Sequence, residues 1–82
     1  MKLNNKFIYY NLEEAEEEIQ IMKKALKNGQ YTHEQYYRSM QHLIHHVNIA
    51  WNARTMTDEM IENVSDEKMD EWSKFPQDIK LV

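Results

Sequence analysis

Residues 33–54, HEQYYRSMQHLIHHVNIAWNAR, decide the fold, because no other stretch is as long, as periodic and as rich in large apolar side chains. Tyr36, Met40, Leu43, Val47 and Ala50 recur at spacings of four and three, which sets them along one narrow stripe of a helix. Tyr37, Ile44 and Trp51 follow at intervals of seven and form a second row beside the first. Two adjacent rows make an apolar face wider than one neighbouring helix covers. A second partner is therefore required, supplied by the rest of the chain or by another copy of it. Leu43 is expected at the centre of the seam.

Upstream, the pattern repeats more thinly. Leu12, Ala15, Ile19, Met22 and Leu26 form a single stripe over residues 11–29, with Asn11 as the expected N-cap and Glu14 three residues on. Glu13, Glu14, Glu16, Glu17 and Glu18 crowd the first half and Lys23, Lys24 and Lys27 the second, the order the helix dipole favours. Asn28 and Gly29 stop this helix, and Thr32 with Gln35 opens the next one, at residues 32–55. The short connection forces an antiparallel hairpin. Residues 1–10, MKLNNKFIYY, show no helical period and end in a β-prone cluster, so they are expected to form an extended arm.

Downstream of Arg54 the periodicity breaks. Thr55 and Thr57 are both N-cap candidates for one short helix and Ser65 for another within residues 57–75, the second carrying Met69 and Trp72 and ending before Pro76. Residues 76–82 are read as an extended tail. Met69, Trp72, Phe75 and Ile79 are the expected cover for the Trp51 side of the long helix. The fold class is thus all-α: one small domain, a helical hairpin with short C-terminal helices packed on it, pairing into a dimeric bundle.

Composition narrows the function classes. A chain of 82 residues buries only roughly 60% of the surface that it exposes unfolded, so it needs reinforcement. The absence of cysteine excludes disulfides and thiolate zinc sites; oligomerisation remains. One glycine leaves no phosphate-cradling loop. The formal charge is −4 with only two arginines, Arg38 and Arg54, and no basic patch forms for a nucleic-acid backbone. With no run of 18 apolar residues and no charged start leading into an apolar segment, neither a membrane span nor a signal peptide is expected, and the default location is cytoplasmic.

Two constellations could carry chemistry. His42 and His46 stand at i and i+4, the spacing that lets two imidazoles reach one divalent metal from a single helix, whereas His45 faces away and His33 lies upstream. A third ligand would have to come from Glu13 to Glu18 or from Asp58, Glu59 and Glu62. The second constellation is acidic: Glu13, Glu14 and Glu17 on the first helix and Glu59, Glu62 and Asp66 later. Such pairs can hold Mg²⁺ against a phosphate, and they resemble those of the all-α nucleoside triphosphate pyrophosphohydrolases, a resemblance that implies Mg²⁺-dependent nucleotide hydrolysis. Here an entire helix whose one acid is Glu34 separates the pairs.

Aromatic side chains favour a different function. Tyr9, Tyr10, Tyr31 and Tyr37 add more aromatic surface than so small a core needs, and Tyr and Trp anchor protein interfaces. The expected interface is Tyr9, Tyr10, Tyr37, Ile44, Trp51 and Trp72. The leading expectation is an interaction or scaffolding protein without a cofactor, a homodimer open to a further protein partner; the alternative is a metal-binding or nucleotide-hydrolysing protein.

Overall fold

The computed structural model describes all 82 residues and contains four helices and no strand: α1 (Asn5–Asn28), α2 (His33–Asn52), α3 (Asp58–Glu62) and α4 (Asp66–Trp72). The two long helices pack antiparallel. Their turn follows from local chemistry. Gly29 takes the left-handed conformation, φ 69°, and returns its N–H to the Leu26 carbonyl at 3.2 Å, a geometry that costs glycine nothing. Thr32 then accepts from the Gln35 N–H at 3.1 Å while the Gln35 side chain accepts from the Thr32 N–H at 2.9 Å, the reciprocal capping box expected from the sequence. Thr57 and Ser65 cap α3 and α4 as expected.

The expected extended arm is helix. α1 begins at Asn5, with Asn4 as N-cap accepting from the Phe7 N–H at 3.1 Å. Tertiary contacts override the β-propensity of Phe7 to Tyr10. Phe7 packs on the hydrophobic core, and Asn4 is fastened to the far end of α2 through its N–H on the Arg54 carbonyl, 2.7 Å, and its Nδ2 on the Met56 carbonyl, 2.8 Å. Asn11 is consequently no cap. It sits two turns inside α1, fully buried, with Nδ2 donating to the Phe7 carbonyl one turn back.

A second difference concerns which faces meet. On α1 the side chains turned inward are Asn11, Ala15, Glu18, Met22 and Ala25; on α2 they are Ser39, Leu43, His46, Ala50 and Ala53. At 100° per residue these rows lie about 60° from the apolar stripes singled out above. Leu43 is half-buried rather than central. Leu12, Ile19 and Leu26 on α1 and Tyr36 and Val47 on α2 are exposed. Because the helices run antiparallel, the same rotation on both turns both leftover rows to one side of the hairpin.

The C-terminal helices cover the opposite side. Trp72 is buried on Ile49 and Ala53, with Phe7, Met56, Ile61, Val64 and Met69 packed around them. The carbonyls that the end of α4 leaves without helical partners are taken by amides of α2: Asn48 Nδ2 donates to the Ser73 carbonyl, and Asn52 Nδ2 to those of Trp72 and Lys74, each at 2.8 Å. Trp72 and Met69 therefore dock, but on Ile49 and Ala53 rather than on the Trp51 row. Phe75 and Ile79 remain exposed. What reaches Trp51 is Asp78, which accepts its indole N–H at 2.8 Å, while the Arg54 guanidinium stacks 3.7 Å above the ring.

Candidate functional site

Polar side chains concentrate at the edge of the α1/α2 seam away from the exposed apolar rows. His46 is buried there, one turn from His42 on α2, and faces Asn11 of α1. The amide of Asn11 is oriented by its own donation to the Phe7 carbonyl, so Oδ1 is the atom presented to His46 Nδ1, 2.8 Å away. A carbonyl oxygen accepts only; His46 therefore carries its proton on Nδ1. His42 obeys the same logic. Its Nδ1 lies 2.7 Å from the Glu18 carboxylate, another pure acceptor, and so bears a proton too.

Both Nδ1 atoms being donors, the two Nε2 atoms turn toward each other, 3.1 Å apart. The rings meet edge to face, centroids 4.7 Å apart. Burial first, and then the neighbouring His42, push the His46 imidazole below the ordinary histidine range, with Glu14 pulling weakly the other way; the buried ring favours its neutral form. Tyr10 and His45 close over it, both edge-on, at 6.2 and 5.2 Å between centroids. Glu14 completes the group: its carboxylate and the ligand atoms of His42 and His46 lie within 4.8 Å of one another.

No known protein family, curated protein or solved structure matches the chain.

His42 and His46 are thus brought together, and the carboxylate beside them, Glu14, belongs to the α1 glutamates. Glu59, Glu62 and Asp66 join no such group. The acidic pairs do not converge across facing helices, and the likeness to the pyrophosphohydrolases gains nothing from the fold. Of the other members of the site, Glu18 was expected only as a candidate ligand and Asn11 only as a cap. Glu18 carried a signal, since it lies one helical turn beyond Glu14; Asn11 carried a misleading one, because an asparagine ahead of an acidic run reads as a cap.

The expected interface residues scatter. Tyr9, Tyr10 and Tyr37 are exposed, Ile44 and Trp51 are half-buried, and Trp72 is used inside its own chain. Tyr10 is committed partly to Phe7 and His46. The larger unpartnered surface is the apolar side of the hairpin, where Leu12 is 50% exposed, Ile19 41%, Leu26 59%, Tyr36 41% and Val47 46%. No helix is long and apolar enough to cross a membrane.

Proposed function

We propose that the chain is an interaction module that pairs with a second copy of itself through the apolar side of the α1/α2 hairpin. The observation that carries this is the row of large apolar side chains left about half exposed on one side of both helices. Burying the remainder of each, roughly 80 Å² at about 25 cal/mol per Å², contributes about 2 kcal/mol, and a symmetric pair doubles the set, so the gain of roughly 20 kcal/mol exceeds the association cost, roughly 10 kcal/mol. Pairing of micromolar strength or tighter fits that balance, and it would relieve the poor surface-to-volume ratio of a cysteine-free chain.

Charge supports a second copy rather than an unrelated protein. Leu12, Ile19 and Leu26 form a row flanked on one side by Glu16 and Lys23. If two α1 helices cross antiparallel with Ile19 at the two-fold axis, Leu12 meets Leu26 of the second copy and Glu16 meets its Lys23. An isologous contact satisfies both charges twice.

Sedimentation equilibrium at micromolar concentrations tests the proposal. The wild-type chain should sediment as a dimer, and Ile19→Lys, which places two like charges on the axis, as a folded monomer. Glu16→Lys should weaken pairing, and adding Lys23→Glu should restore it. A wild-type monomer across that range would sink the proposal and leave the exposed side to a partner of a different kind.

A further inference from the structure

The Nε2–Nε2 contact at 3.1 Å between His42 and His46 poses a question that the fold alone does not answer. With both Nδ1 protons committed, to Glu18 and to Asn11, neutral rings present two lone pairs to each other. Lone pairs do not rest bare at that distance; something electrophilic, a bridging proton or a metal ion, belongs between them. We propose that it is a divalent transition metal ion, bound by Nε2 of His42, Nε2 of His46 and the carboxylate of Glu14. This site is independent of self-association, since it lies on the other edge of the seam.

Four observations converge on it. The spacing fits: an ion about 2.0–2.1 Å from each imidazole nitrogen in a tetrahedral arrangement holds the two nitrogens about 3.3 Å apart, close to what the apo geometry already shows. The tautomers fit: a metal-bound imidazole typically donates its other N–H to a carboxylate or carbonyl, which fixes the ring and raises its basicity. Glu18 and the buried Asn11 do this here, one for each histidine. The charge fits, because Glu14 and Glu18 offset the ion in a place where the Asn11 and His46 side chains are cut off from water. Finally, the site is preorganised. Asn11 is locked by the Phe7 carbonyl, and His46 is held between Tyr10 and His45.

Two imidazoles and one carboxylate select Zn²⁺, Co²⁺, Ni²⁺ or Fe²⁺ over Mg²⁺ or Ca²⁺, which prefer all-oxygen shells. The His42 side chain is 47% exposed, so the site opens to solvent on that flank, and three protein ligands leave at least one position for water. Because Glu14 belongs to α1 and both histidines to α2, the ion also ties the hairpin together, the reinforcement that a chain without cysteine lacks.

The test uses tag-free full-length protein stripped with a chelator. Titration with Co²⁺ should give visible d–d bands of a four- or five-coordinate site, saturating at one ion per chain, and Zn²⁺ should displace it. The double variant Glu14→Gln/His42→Ala changes only residues at the outer side of the seam, so it should stay folded by circular dichroism while losing affinity at least a hundredfold. Glu18→Ala should keep the cobalt bands and lose about ten- to a hundredfold in affinity, as expected of a group that orients a ligand. His33→Ala should bind as wild type, and His45→Ala, which removes one of the two rings that hold His46, should weaken binding far less than the double variant. Either of two results would overturn the proposal: no ion retained at micromolar concentration, or binding that survives the double variant or falls equally with His45→Ala and His33→Ala, which would mean adventitious capture by surface imidazoles.

Discussion

The two edges of the α1/α2 seam are built from the same helices and behave oppositely. One edge holds Asn11, Glu14, Glu18, His42 and His46, none of them apolar, with partners inside the chain. The other holds Leu12, Ile19, Leu26, Tyr36 and Val47, all apolar, and leaves them half in water. Hydrophobicity alone would reverse this choice. The difference teaches that the face a helix presents to its neighbour is set by what the whole chain buries. Trp72 needs Ile49 and Ala53, and with α4 docked there the polar flank of α2 closes on α1 while Tyr36 and Val47 of its apolar stripe look outward.

The largest test of that account lies in the core that sets the rotation. Ile49→Ala should cost about 2–5 kcal/mol in urea unfolding, because Ile49 is 3% exposed beneath Trp72. A loss below about 1 kcal/mol would mean that α4 does not fix the seam. Next comes a comparison of neighbours. Asn11→Ala strands the His46 Nδ1–H and should cost about 1–3 kcal/mol, whereas Leu12→Ala, one residue on, should change stability by no more than about 0.5 kcal/mol in protein dilute enough to be monomeric. Equal costs would erase the distinction between the edges. Thr32→Ala removes half of the capping box that starts α2 and should cost about 1 kcal/mol, read from the unfolding midpoint.

The smallest effect is pH-dependent and belongs to the tail. The hydrogen bond from the Trp51 indole, aided by Arg54, holds the Asp78 carboxyl below its ordinary range. A depressed folded-state pKa contributes stability that is complete above the ordinary carboxylate range and is lost as the pH falls through the lower folded value. The Trp51 indole N–H resonance should therefore shift as the solution is acidified, at pH values below those at which a free aspartate titrates. In Asp78→Asn that step should vanish.

Much of this fold was legible in the residues. Gly29, Thr32, Gln35, Thr57 and Ser65 act within a few residues of their own backbone, so their roles could be read without knowing the rest of the chain. Asn4 and Asn11 could not be. Both are asparagines near a helix start, and what separates cap from buried partner is a contact 50 or more residues away in one case and 35 in the other. The i, i+4 histidine pair was visible because helical spacing is local; Glu14 and the orienting Asn11 and Glu18 depend on the pairing of two helices and on their rotation. That rotation is where reasoning from apolar periodicity fell short: Ala15, Met22, Leu43 and Ala50 of the stripes do line the seam, but a turn of about 60° leaves Leu12, Ile19, Leu26, Tyr36 and Val47 outside it.

The Asn4 clasp has a consequence for how the chain is made. Its Nδ2 reaches a carbonyl 52 residues further on, so during synthesis the first segment leaves the ribosome long before its fastening exists. Until Met56 emerges, the β-prone stretch from Phe7 to Tyr10 lacks the carbonyls of Arg54 and Met56 that fasten its cap. The turn at Asn4 is thus translated well before the two carbonyls that secure it.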